Sequence, residues 1–263
     1  MKRYFIISIL LIPVYVYSQD SIISFDRPGV ADLPYITSLK TIQIESGYTL
    51  GVDDSARFYY DLAPNFLLRF SPVKYFEIRV MVNYSPSATH FTRYYSLNGL
   101  FELGIGGKVK ICKEKKLRPA LAIEGLVTFP VQGFANPNIG VVGGEVYLLG
   151  NNYFTKWFYF NYNLGYVYGN KYLGHSLSYS ACFGFEANKY LEFFIEHFAF
   201  INGNDLPDWG IDGGVCIYPA KRLQIDLSYI RIFNGYGGQN TLNLGLSYNI
   251  GLSKSHYSVF NNR

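Results

Sequence analysis

The stretch Asn65–Tyr84, NFLLRFSPVKYFEIRVMVNY, constrains the fold more than any other part of the chain. Phe66, Leu68 and Phe70 alternate with Asn65, Leu67 and Arg69. Ser71-Pro72-Val73-Lys74 predicts a turn. Phe76, Ile78, Val80, Val82 and Tyr84 then alternate with Glu77, Arg79, Met81 and Asn83. A period of two means strands, each with one apolar and one mostly polar face. A soluble strand turns its apolar face to a core. A membrane-barrel strand turns it to lipid and its charges to the lumen. Alternation alone does not separate the two.

The same pattern recurs along the chain. Strands are expected over residues 41–50, 65–70, 76–84, 99–112, 117–129, 139–148, 157–168, 176–186, 191–200, 209–218, 223–230 and 241–250. In 157–168, Phe158, Phe160, Tyr162, Leu164, Tyr166 and Tyr168 form an aromatic stripe that no soluble surface would leave uncovered. About twelve strands, mostly near the length a tilted bilayer strand needs, and successive hairpins without a helix predict an up-and-down meander.

Three features place that meander in a membrane. Aromatics make up 18% of the chain and charged residues only 16%, which suits an aromatic-belted barrel. Outward aromatics gather at both strand ends: Tyr48, Tyr84, Phe129, Tyr166, Tyr168 and Tyr179 at one, Phe70, Phe76, Phe158, Phe183 and Phe185 at the other. Connections alternate between short turns carrying Lys74, Lys113, Lys156, Lys189 and Lys221 and longer ones around Thr89, Ala135, Asn204 and Gly237. Barrels have short periplasmic turns and longer outer loops. The fold class expected is therefore all-β, a transmembrane up-and-down antiparallel β-barrel of about twelve strands.

Residues 1–18 read as a signal peptide: Lys2 and Arg3, an apolar run from Tyr4 to Val16, and a cleavage site at Val16-Tyr17-Ser18. The run is short for a spanning helix, and Pro13 interrupts it. Without Lys2 and Arg3 the net charge falls from +4 to +2, and nothing points to nucleic acid. Residues 19–37, with Pro28 and Pro34, show no sustained period. They read as an irregular segment, periplasmic or in the lumen. Residues 38–250 are the barrel and 251–263 a polar C-terminal tail. Three cysteines, Cys112, Cys182 and Cys216, are too few and odd for a disulfide framework and sit on inward positions.

The inward charges expected are Glu45, Arg69, Glu77, Arg79, Glu102, Lys108, Lys110, Arg118, Glu124, Glu145, Glu186, Glu192, Glu196, Asp212 and Asp226. Cations concentrate in strands two to five, opposite acidic strands eight to eleven. Such a set serves either a salt-bridged wall or a charge-selective pore. Asp26 and Arg27 are the candidate plug residues. A barrel enzyme acting on lipid needs His and Ser two apart on an outward face. His90, His175 and His197 have Thr92, Leu177 and Ala199 at that offset, and His256-Tyr257-Ser258 lies in the tail. No catalytic set, metal-ligand spacing, phosphate loop or cofactor site stands out.

LLRFSPVKYFEIRV, at 67–80, resembles the Leu-Arg-aromatic turn and Glu-Leu-Arg strand of a family of bacterial outer-membrane transporters, the MetA-pathway of phenol degradation family. Other pieces are similar in order: Phe25-Asp26-Arg27-Pro28 to its Thr-Asp-Arg-Pro, Gln43-Ile44-Glu45-Ser46-Gly47 to its first strand, and Leu126-Val127-Thr128-Phe129-Pro130 to its apolar-Pro strand end. Asn163-Leu164-Gly165-Tyr166, Phe194-Ile195-Glu196 and Leu223-Gln224-Ile225-Asp226 resemble its later strands. The chain departs from it at Phe25, in lacking an acidic run after Pro28, and in its longer tail.

The resemblance implies an outer-membrane barrel. The function expected is a porin-like channel for passive passage of small solutes, apolar or aromatic ones among them. Its partners are outer-membrane lipid and a small-molecule solute. An occluded structural or surface-binding barrel is the alternative, and a lipid-acting hydrolase a weaker one.

Overall fold

The computed structural model describes residues 24–53, 58–87, 98–116, 118–130, 142–168, 175–202, 207–234 and 237–251. The expected signal peptide and nearly all of the expected tail lie outside them. Twelve strands follow in order: β1 (Thr41–Asp53), β2 (Phe58–Val73), β3 (Phe76–Ser87), β4 (Asn98–Cys112), β5 (Ala120–Pro130) and β6 (Gly143–Thr155), then β7 (Phe158–Tyr168), β8 (His175–Asn188), β9 (Leu191–Asn202), β10 (Asp208–Ala220), β11 (Leu223–Asn234) and β12 (Gly237–Gly251). Each pairs antiparallel with its sequence neighbours, and β1 pairs β12 from Thr41↔Gly251 to Asp53↔Gln239, closing the barrel.

The burial is that of a soluble protein turned inside out. Outward Leu164 is 61% exposed and Ile195 59%, while the inward Arg69, Lys108, Glu45 and Asp212 are each at 0%. An apolar band around a polar interior is stable only with hydrocarbon outside, so the chain is a transmembrane barrel. The shortest strands have 11 residues. At ~3.3 Å per residue and ~40° tilt, that covers about 28 Å, enough for the ~25 Å apolar band.

Most strands run longer than the sequence pattern predicts, β5 and β7 being shorter. β2 starts at Phe58, not Asn65. Its pairing to β1 slips between Gly47 and Thr49, opposite Leu62-Ala63-Pro64. Pro64 has no N–H for the ladder, and a bulge is where a strand tolerates it. Pro72 sits in a second slip, between Phe70 and Val73, so β2 passes through the expected turn and turns at Lys74-Tyr75, with Tyr75 at φ 77°. The short connections do carry the five lysines at one end of the barrel. At the other end the β11–β12 connection has only residues 235–236, because both strands extend well beyond their expected ends, so the expected longer loop there is absent.

Candidate functional site: the lumen and its inner segment

The barrel interior is occupied by Ser24–Lys40. Its C-terminal end leads into β1 and is pinned to β2 by Lys40 N–H donating to Ser71 O at 2.9 Å. The rest threads between two chemically different walls.

The first wall is formed by β1 to β5. Arg69 donates from Nε to Glu77 at 2.8 Å and from Nη1 to Glu45 at 2.9 Å. Arg79 Nε and Lys108 Nζ both lie 3.1 Å from Glu124. Three cations and three carboxylates thus compensate one another before the segment is counted, which a buried wall requires. Asp26 enters this network: its Oδ2 is 2.5 Å from Arg79 Nη1, 2.9 Å from Lys108 Nζ and 3.2 Å from Arg69 Nη1. Burial alone would raise the Asp26 pKa, but Arg69, Lys108 and Arg79 outweigh it and hold the carboxyl ionised well below the usual carboxylate range.

The wall also binds the segment's backbone. Glu45 Oε2 accepts from Arg27 N–H at 3.0 Å, and Glu77 Oε2 from Thr37 N–H at 2.6 Å. Arg69 Nη2 donates to Tyr35 O at 2.9 Å and Lys108 Nζ to Leu33 O at 2.8 Å. Asp26, Asp32 and Glu124 bring carboxylate oxygens within 4.8 Å of one another. Arg79 and Lys108 lie among them, each within 3.1 Å of a carboxylate oxygen of the cluster.

The second wall, β8 to β11, is acidic. Arg27 is the segment's cation on this side, with Nη2 3.5 Å from Asp226. Its guanidinium lies in a slot made by Gly47 and Gly245, which face each other across β1 and β12. A Cβ at Gly47 would stand 2.1 Å from Arg27 Nη1, and one at Gly245 2.5 Å from Nε. The glycines are there because the side chain lies against the backbone. Gln224 donates to Arg27 O at 3.1 Å, and Val30 N–H donates to Glu196 Oε2 at 2.9 Å. Towards the short-turn end, Glu192 accepts from the hydroxyls of Tyr159 and Tyr218, and Glu186 from Tyr153 at 2.7 Å.

Two cavities flank the segment. One, about 210 Å³, lies towards the short turns against Tyr153, Tyr159, Glu186, Glu192 and Tyr218. The other, about 380 Å³, lies towards the longer loops against Leu67, Met81, Asn83, Glu145 and Asn243. Asp26, Arg27, Pro28 and Gly29 line both, so these four residues form the partition.

Of the expected lumen charges, Glu45, Arg69, Glu77, Arg79, Lys108, Glu124, Glu196, Asp212 and Asp226 are buried inside. Glu145, Glu186 and Glu192 line the cavities, and Lys110 Nζ lies 6.0 Å from the Tyr35 ring centre. The Glu102 side chain lies outside the described residues. Arg118 is a correction: it is exposed in the β4–β5 turn and donates to Lys113 O at 3.1 Å. Pro119 follows it, and β5 begins only at Ala120, so alternation cannot be extended back to Arg118. Cys182 and Cys216 are buried and Cys112 half-buried, all three unbridged.

Sequence reasoning missed Asp32, the tyrosines on Glu186 and Glu192, and the Gly47–Gly245 slot. Two glycines inside strand patterns were the available signal for the slot. For the others, lumen partners far apart in sequence leave no local mark.

Several solved structures share the fold at low sequence identity. The KdgM porin in complex with disordered oligogalacturonate aligns with TM-score 0.55 at 9% identity, covering 78% of this chain and 98% of that one. The COG4313 outer membrane channel from Pseudomonas putida F1 aligns with TM-score 0.54 at 10% identity, covering 85% and 99%. The NanC porin aligns with TM-score 0.51 at 12% identity, covering 79% and 98%. No curated protein sequence matches the chain. The family model described as "Putative MetA-pathway of phenol degradation" matches residues 25–250, from the first residues of the inner segment to the end of β12, and the chain belongs to that family.

Proposed function

We propose that the chain is an outer-membrane channel for passive passage of small solutes, and that Ser24–Lys40 narrows the path. The carrying observation is the pair of lumen cavities that both have Asp26–Gly29 in their lining, a stretch held by non-covalent contacts. The cations of the first wall keep carboxylate partners on the wall itself, Glu45, Glu77 and Glu124, when the segment is left out of account. The porins and the channel that share the fold support this reading, and so does the phenol-degradation label of the family for apolar or aromatic solutes. The short lysine-bearing turns face the periplasm in this reading, the apolar band contacts outer-membrane lipid, and the signal peptide directs export.

We do not read the protein as an enzyme. The described histidines pair with aromatics on the outside: His175 with the Tyr166 hydroxyl, and His197 with the Tyr179 hydroxyl at 3.4 Å and stacked on Trp209. The second reading, a closed structural barrel, draws on the three cations around Asp26. Solute flux into liposomes separates the two. Benzenesulfonate and a small sugar, neither of which crosses a bare bilayer readily, should enter vesicles containing the purified protein faster than empty vesicles, and faster still when residues 20–37 are deleted. No flux from either form would leave the structural reading.

A further inference from the structure

Glu196 on β9 and Asp212 on β10 are directly opposite each other in the ladder and both point inward. They are 1% and 0% exposed. Directly opposed residues have Cβ atoms about 4.5–5.5 Å apart, and like charges there destabilise the pair. Burial makes the repulsion worse, because an uncompensated charge away from water costs several kcal/mol. Among the described residues no Lys or Arg forms a salt bridge with either carboxylate. Arg27, the segment's cation on this side, is spent on Asp226 one strand further on.

The unpartnered atoms around the pair are oxygens. No donor meets either carboxylate oxygen of Asp212, or Oε1 of Glu196, with good hydrogen-bond geometry, although the Gly213 N–H and the Ser228 hydroxyl lie beside Asp212 and the Ser180 hydroxyl beside Glu196. Ser180 Oγ on β8 and Asn163 Oδ1 on β7 are also unpartnered, on side chains 4% and 5% exposed. Ser180 lies diagonally next to Glu196, whose direct partner on β8 is Cys182, and Asn163 lies directly opposite Ser180. Four adjacent strands therefore turn unmet oxygens towards one region of the lumen wall. Two negative charges with further neutral oxygens suit a hard divalent cation, and Ca²⁺ takes 6–8 oxygen ligands at 2.3–2.6 Å.

We infer that Glu196 and Asp212 form a Ca²⁺ site on the lumen wall. The ion bridges β9 and β10 through Glu196 Oε1 and Asp212, with Ser180 available as a neutral ligand. The other oxygen of Glu196 still accepts the Val30 N–H, so the ion also stiffens the seat of the inner segment. The acidic cluster of Asp26, Asp32 and Glu124 is not this site, because Arg79 and Lys108 already lie against its carboxylate oxygens.

The test uses full mature protein refolded into detergent, free of lipopolysaccharide and stripped with chelator. CaCl₂, MgCl₂ and NaCl are titrated by calorimetry, and unfolding is followed by heat-modifiable gel migration. One Ca²⁺ site is expected in the wild type, with a Ca²⁺-dependent rise in unfolding temperature. Both should vanish in Asp212→Asn and in Glu196→Gln, and both should persist in Asp32→Asn. Removing one of two repelling charges should leave Asp212→Asn at least as stable as the metal-free wild type, so loss of binding is not loss of fold. A wild type with no Ca²⁺ heat and no shift overturns the site, as does an equal shift in all three variants. Flux in liposomes is a separate measurement, so the Ca²⁺ site can fail while the channel reading stands.

Discussion

Asp26→Asn keeps the shape of the side chain and removes its charge. In the wild type, Asp26 Oδ2 meets Arg79 Nη1 at 2.5 Å and Lys108 Nζ at 2.9 Å, with Arg69 at 3.2 Å. A hydrogen bond to a charged group contributes about 1.5–3 kcal/mol net. Asparagine can still accept one of these bonds, while the wall cations keep Glu45, Glu77 and Glu124. The loss should therefore fall on segment docking rather than on the barrel, at about 3 kcal/mol. At about 1.4 kcal/mol per tenfold, that shifts the seated-to-released ratio about 100-fold. In planar bilayers, larger-conductance openings should become about 100-fold more frequent than in the wild type, with an unchanged gel-shift unfolding temperature. If Asp26→Asn opens no more often than the wild type while deletion of residues 20–37 opens the pore, the carboxylate network is not what seats the segment.

Other perturbations separate barrel from segment. Gly47→Val should push Arg27 out of its slot and raise open-channel frequency without unfolding the barrel, measured in the same bilayers. Leu164→Arg and Val80→Arg place charge on the lipid face and should cost roughly 2–4 kcal/mol of folding into vesicles, while Asn163→Arg on the adjacent lumen position should cost less; equal costs would mean the facing is wrong. Arg69→Met removes a buried cation from three carboxylates and should cost the barrel about 3–5 kcal/mol in urea titration. Because the Asp26 pKa is depressed, its stabilisation is full above the unfolded carboxylate value of about 3.9 and is lost only as pH falls through the lower seated value. Conductance should therefore not rise through Asp26 between about pH 7 and pH 4.5; a rise that persists in Asp26→Asn belongs to another group.

The barrel was legible because lipid and lumen impose a period of two on every strand, and that period survives in sequence. Closure through β1 and β12 followed from the even strand count. Phe25-Asp26-Arg27-Pro28 stood out as a charged pair in a segment without a period, and the lumen is where those two residues lie. Alternation gives the face of a residue but not its partner. It placed Arg69, Arg79 and Lys108 inward, yet could not say that one aspartate from the segment joins all three. It also failed at Arg118, where Pro119 ends the pattern one residue later. The opposition of Glu196 and Asp212 depends on the register between β9 and β10; alternation forbids a one-residue slip but not a two-residue one, which turn length decides.

Whether the inner segment restricts an open pore is decided by single-channel conductance of the purified mature protein in planar bilayers, with and without residues 20–37. Small, steady conductance is expected from the full chain and a severalfold larger one from the deletion, both from folded barrels. Silence from both forms would contradict an open pore.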